Sequence, residues 1–187
     1  MTVKPMRADA RRNYERLLAC AQEAFNAHGV DASLEDIARA AEVGIGTLYR
    51  HFPTRDALLE ALMAERFQRA ADSAGQLLSE PDPVDALRSW LREFIRGASA
   101  YRGLPESVMA VLTDPESQLY ASCHAMQESA AKLWQRAQKA GTVRKDVSAP
   151  DAFLMAAGIS WAAERAAEDP ARVERFLDVL IDGLRSR

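Results

Sequence analysis

Gly46, Thr47, Tyr49, Arg50 and His51 crowd into six consecutive positions. Glycine lets another surface come close, and a hydroxyl, a phenol, a guanidinium and an imidazole can all hydrogen-bond base edges or phosphate oxygens. No acidic residue occurs between Glu42 and Asp56, so Arg50 and Arg55 would meet a polyanion without a neighbouring carboxylate to repel it. This chemistry is recognition, not turnover. The chain has no glycine-rich phosphate loop and no nucleophile elbow. The adjacent carboxylates Glu35 and Asp36 suit a helix start better than acid–base work. No enzymatic activity is expected.

Such residues act together only if a helix presents them on one face. Leu34, Ile37, Ala38, Ala41, Val43 and Leu48 can form a small shared core between two short helices, expected at about 34–41 and 45–51 and joined by a turn of about three residues. Ser33 with Asp36 reads as a near capping box, and Gly29 stands where a left-handed cap would end a preceding helix from Ala8. Phe52-Pro53 closes the second short helix, and Thr54 is placed to cap the next from Arg55. By itself the pattern also fits an ordinary helical hairpin with a polar outer face.

The periodicity stays helical along the whole chain, with no sustained strand-like alternation. Helices are expected at about 8–28, 34–41, 45–51, 55–78, 83–101, 105–112, 115–140, 150–167 and 170–185. Asp82-Pro83, Asp114-Pro115 and Asp169-Pro170 are each read as a cap followed by a first-turn proline. The fold is therefore expected to be all-α with about nine helices. At 187 residues and 48% hydrophobic content, the chain can bury one core or pack a small domain onto a larger one.

The net charge of −3 argues against coating nucleic acid by bulk electrostatics, so any contact must come from a local patch. Residues 1–16 offer one, with Lys4, Arg7, Arg11, Arg12 and Arg16 against Asp9 and Glu15, although a solvated tail would look the same. Neither a secretory signal nor an apolar run of membrane-spanning length is present, which leads to the expectation of a soluble, cytoplasmic protein without membrane contact. Cys20 and Cys123 are read as buried thiols, and His28, His51 and His124 follow no ligand spacing. No metal and no cofactor are expected.

The stretch from Leu34-Glu35-Asp36-Ile37-Ala38 through Gly46-Thr47-Leu48-Tyr49-Arg50-His51-Phe52, followed by Thr54-Arg55-Asp56-Ala57-Leu58-Leu59, resembles the DNA-binding domain of TetR-type (TetR/AcrR) transcriptional regulators over roughly residues 10–60. The resemblance implies an N-terminal three-helix helix-turn-helix domain, residues 1–55, and a C-terminal helical ligand-binding and dimerisation domain, residues 56–187. Carried over by position, it implies that Gly46, Thr47, Tyr49, Arg50 and His51 face DNA, with Thr47 and Arg50 on bases and Tyr49 and His51 on phosphates. Ser33 and Arg55 would meet the backbone, as helix N-termini favour anions, and Arg7, Arg11 and Arg12 would add phosphate or minor-groove contacts. Two positions depart from the common family pattern. Glu42 stands where a turn glycine is usual, so a carboxylate residue is expected to bear a positive φ, and Gly44 replaces a serine or threonine cap.

Residues beyond about 60 carry no local motif. By resemblance, the last two helices pair with their copies in an isologous homodimer through Phe153, Ala157, Trp161, Phe176, Leu177, Leu180, Ile181 and Leu184. The same faces would also suit packing within one protomer. Trp90, Phe94, Tyr101, Met109, Tyr120, His124, Met126, Gln127, Trp134 and Trp161 are candidates to line a ligand pocket, though each taken singly reads more readily as core filler. The resemblance implies a repressor released from palindromic double-stranded DNA by an unknown small-molecule effector. A second possibility within the same fold is a regulator acting through a protein partner, as a coactivator or cell-architecture factor.

Overall fold

A computed structural model describes residues 8–98, 105–165 and 171–186. Among them are the helices α1 (Ala8–His28), α2 (Leu34–Ala40), α3 (Ile45–His51), α4 (Arg55–Leu77), α5 (Pro83–Ala98), α6 (Glu106–Thr113), α7 (Gln118–Lys139), α8 (Ala149–Arg165) and α9 (Ala171–Leu184). The extended structure among them is a lone antiparallel bridge between Val143 and Arg185. Two compact units result, one from Met1–Met63 with Ala100–Asp114, the other from Ala64–Ser99 with Pro115–Arg187.

In the first unit, α1 buries Leu17, Leu18, Ala21 and Phe25, whose spacing of three and four residues lines up one face of a helix. Helix α2 packs on α1 and α3 on α2, and Leu34, Ile37 and Ala38 of α2, Leu48 of α3 and Leu58, Leu59 and Leu62 from the start of α4 are buried with them. Each fully buried leucine or phenylalanine contributes about 1.5–3 kcal/mol of transfer free energy, so this small core is enough to fix two seven-residue helices that would not persist alone.

The second unit is centred on α5, which meets α7, α8 and α9. Trp90, 1% exposed, stacks on Phe94 at 5.3 Å and leans on Phe153 at 5.2 Å, while its indole N–H donates to the Ala70 carbonyl at 2.8 Å. Arg88, Arg92 and Arg96 lie one turn apart along α5. Arg88 pairs with Asp178, and Arg92 and Arg96 both reach Glu174 at 3.0 Å, fixing α9 alongside.

Several helix boundaries depart from the sequence expectation. Asp82 caps α5 as expected, accepting from Val84 N at 2.7 Å and Asp85 N at 3.1 Å. Asp114-Pro115 does not start α7. Asp114 closes α6, its N–H still donating to Val111 O, so the start of α7 passes to Ser117, which caps it by accepting from Tyr120 N at 3.0 Å. Helix α8 begins at Ala149, one residue before Pro150, capped by reciprocal bonds between Ser148 and Asp151. Asp169-Pro170 lies outside the described residues. Cys20 and Cys123 are half-buried rather than fully enclosed, and burial pushes both thiols up, so they stay protonated near neutral pH.

Candidate nucleic-acid interface

Helix α2 ends in a Schellman motif: Val43 N donates to Ala38 O and Glu42 N to Arg39 O, both at 3.0 Å. That geometry needs a left-handed residue between them, and Glu42 supplies it at φ +55°, the one non-glycine with positive φ among the described residues. The expected cost at this position is therefore present in the structure. Gly44 then caps α3 with extended dihedrals, and its carbonyl accepts from Thr47 N at 2.8 Å.

Leu48, 0% exposed, pins α3 to the core, and Phe52, 2% exposed, pins the chain after it. At about 100° per residue, Gly46 and Arg50 fall opposite Leu48, with Thr47 and Tyr49 on the flanks. The burial agrees: Gly46, Tyr49 and Arg50 are exposed, and Thr47 is half-buried. Ile45, which sequence reasoning did not single out, is also exposed at the start of this face. A β-carbon added at Gly46 would meet nothing within 4 Å, so the face is open. Across it, Arg50 Nη2 donates to Thr47 Oγ1 at 2.8 Å. His51 is half-buried, edge-on to Tyr14 at 5.9 Å, and Tyr14 lies on Phe52 at 5.0 Å.

Two of the expected backbone ligands have other engagements. Arg55 Nη1 donates to Val30 O at 2.7 Å and Ala32 O at 2.6 Å, clamping the loop between α1 and α2 to the first turn of α4. Those carbonyls belong to an irregular segment and need donors, which a guanidinium fork supplies. Ser33 Oγ accepts from Asp36 N at 3.2 Å, as the capping pattern requires. The return arm of the box is replaced, since Asp36 binds Arg39 at 2.6 Å instead. Ser33 also donates to Glu35 at 3.3 Å, which sets a carboxylate beside it.

On α1, Arg11 pairs with Glu15 at 2.8 Å and Arg12 with Asp9, both at the surface, where such pairs are worth little and can be exchanged for a phosphate. Arg7 lies outside the described residues.

The candidates in the helical body are dispersed. Trp90 belongs to the core, and Phe94 is half-buried beneath the Arg66 guanidinium at 6.0 Å. Met126 and Trp134 are buried, and Tyr120 is half-buried and stacked with His124 at 6.1 Å. His124 and Gln127 are exposed along α7, engaging Glu128 and Cys123 respectively, and Met109 is exposed on α6. Tyr101 lies outside the described residues. Three buried side-chain polar atoms, Trp134 Nε1, Arg136 Nη1 and Ser160 Oγ, have no hydrogen-bond partner among the described residues.

Of the residues expected between protomers, Leu177, Leu180, Ile181 and Leu184 fill the protomer's own core. Phe153 and Phe176 are half-buried, and Ala157 and Trp161 are exposed. The apolar side chains left outermost on α8 and α9 are Leu154 at 73%, Trp161 at 60% and Val179 at 72%. Leu154 and Val179 were not among the residues expected between protomers. The signal for Leu154 was the unbroken run Phe153-Leu154-Met155-Ala156-Ala157, too apolar all round for a helix with one covered face.

The family model for the N-terminal region of "Bacterial regulatory proteins, tetR family" matches residues 17–62. A second, "Transcriptional regulator SbtR-like, C-terminal domain", matches residues 82–186. The TetR transcriptional regulator SCO0520 from Streptomyces coelicolor is 40% identical, with 92% of this chain and 98% of that one covered and a TM-score of 0.75. A TetR regulatory protein from Mycobacterium vanbaalenii is 34% identical over 97% of this chain and 99% of that one, with a TM-score of 0.63. The HTH-type transcriptional regulator UidR of Escherichia coli K12 is 25% identical over 96% of both chains.

Proposed function

Because the chain belongs to the TetR family of DNA-binding transcriptional regulators, and not to a family of enzymes, we propose that it is a cytoplasmic repressor that grips a palindromic operator as a homodimer and lets go when a small molecule binds its helical body. The observation that carries the reading is the outward face of α3, where Gly46, Tyr49 and Arg50 stand exposed on the side turned away from the Leu48 anchor. In the major groove, Arg50 meets base edges, while Tyr49, His51, Ser33 and the α1 arginines Arg11 and Arg12 meet phosphates.

The exposed Leu154, Trp161 and Val179 support dimerisation through α8 and α9, since three such large apolar groups on one helix pair ask for a partner surface. Ala157 and Gly158 between them allow close helix approach. The unpartnered Trp134 Nε1 and Ser160 Oγ support an effector in the helical body, because a ligand's polar group would satisfy them. Release then follows from a differential affinity of the effector for a conformation whose recognition helices no longer match the half-site spacing.

Selection from random DNA by the purified chain tests the proposal. An inverted repeat should be recovered, bound with steep salt dependence, and Arg50→Ala should weaken or relax its recognition. A folded dimer that enriches no site would refute the reading and favour a regulator working through a protein partner. A monomer by light scattering at micromolar concentration would refute the dimer.

A further inference from the structure

The hydrogen bond from Arg50 Nη2 to Thr47 Oγ1, 2.8 Å long, joins the two residues of α3 best placed to read bases. They sit three apart, one above the other on the helix surface. Arg50 makes no ion pair with any described residue, unlike Arg11, Arg12 and Arg16 of α1 and Arg39 of α2, which all lean on carboxylates. Its orientation is set by a neutral hydroxyl that leaves the cationic charge undiminished.

We propose that Thr47 is a positioning residue, whose hydroxyl holds the Arg50 guanidinium ready for a guanine in each half-site instead of reading a base itself. The inference rests on the reading that α3 enters the major groove. A guanidinium carries five N–H donors, of which Thr47 takes one and a guanine needs two, at O6 and N7. Adenine presents a donor at N6 in place of the O6 acceptor, so a guanidinium held in a fixed plane rejects it. A free arginine would sample many rotamers and engage phosphates as readily as bases. Tethering it at Thr47 removes part of that freedom before DNA arrives, which favours the geometrically demanding bidentate contact. The open space at Gly46, one turn before Arg50, leaves room for the groove floor to approach.

The test uses the full chain and a site recovered from random DNA, with each base pair then replaced in competition binding. The wild type should prefer one guanine per half-site by about tenfold or more, and Arg50→Ala should erase that preference. Thr47→Val, which removes the hydroxyl and keeps the shape, should weaken preference at the same guanine by on the order of fivefold. Thr47→Ser should restore it, and Thr47→Val added to Arg50→Ala should change nothing further at that position. Thr47→Ala serves as the second hydroxyl-free variant if the valine protein misfolds. The proposal is overturned if the Thr47 variants alter preference at a different base pair, or if their effect persists in the Arg50→Ala background. Failure of the wild type to enrich any site would instead overturn the groove reading itself, and this inference with it.

Discussion

Replacing Glu42 with glycine should make the protein more stable although it deletes an ion pair. Glu42 holds φ at +55° because the Schellman motif ending α2 leaves no alternative. A left-handed conformation costs an L-residue about 1–2 kcal/mol that glycine does not incur. Glycine gives back about 0.4–1 kcal/mol through its freer unfolded chain. The Arg16–Glu42 contact, 3.4 Å long with side chains 46% and 83% exposed, is worth at most about 0.5 kcal/mol. The balance is a gain of about 0.5 kcal/mol, or a rise in Tm of about 1–2 °C for a chain of this length. The sharper comparison is with Glu42→Ala, which loses the same ion pair and keeps the backbone strain. Glycine should exceed alanine by about 0.5–1 kcal/mol in urea denaturation at unchanged m-value. An alanine variant as stable as the glycine variant would show that the turn carries no strain and that the argument from φ is mistaken.

Trp90→Phe removes the indole N–H that donates to Ala70 O and shrinks a side chain 1% exposed, so it should cost about 2–3 kcal/mol in chemical denaturation. A loss below about 0.5 kcal/mol would mean that the aromatic cluster tolerates the change and that Trp90 is not its centre. Arg144, bonded to Asp146 through Nε and Nη2 at 2.7 and 2.6 Å, holds that carboxyl down to about 2. A depressed native pKa contributes stability above the ordinary value of 3.8 and loses it as pH falls towards 2. The stability gap between wild type and Asp146→Asn should therefore close between about pH 4 and pH 2, and a gap constant across that window would refute the pairing.

Local signals in the sequence located α2 and α3 well, since Gly29, Ser33, Thr54 and the alternation of buried and exposed positions from Leu34 to Phe52 depend on neighbours a few residues away. Gly29 takes φ +76° and Thr54 Oγ1 accepts from Ala57 N at 3.0 Å, as those residue types lead one to expect. Contacts between distant segments were not legible. Nothing in the pattern ties Arg55 to the carbonyls of Val30 and Ala32, or Tyr14 to Phe52, because each pairing exists only once the helices have packed. The same limit applies at α9. Its periodicity marks Leu177, Leu180, Ile181 and Leu184 as a buried stripe, and a stripe covered by its own protomer looks the same in sequence as one covered by a copy.

The partners of the guanidinium groups explain how an acidic chain can leave unneutralised cations at the proposed reading helix. Arg88, Arg92 and Arg96 are bound to α9 carboxylates, and Arg144 is bound to Asp146, so these four cations of the helical body are matched within it. On α1 and α2, Arg11, Arg12, Arg16 and Arg39 form exposed pairs that a phosphate could displace at little cost. Arg55 is engaged by backbone carbonyls, which orient it without cancelling its charge, and Arg50 by a hydroxyl, with the same result. No acidic residue occurs from 43 to 55, and Gly46, one turn from Arg50, leaves the surface open. The net charge of −3 over the whole chain discourages adhesion to arbitrary DNA, so on the proposed reading binding depends on seating α3 in a groove, where the contacts are specific.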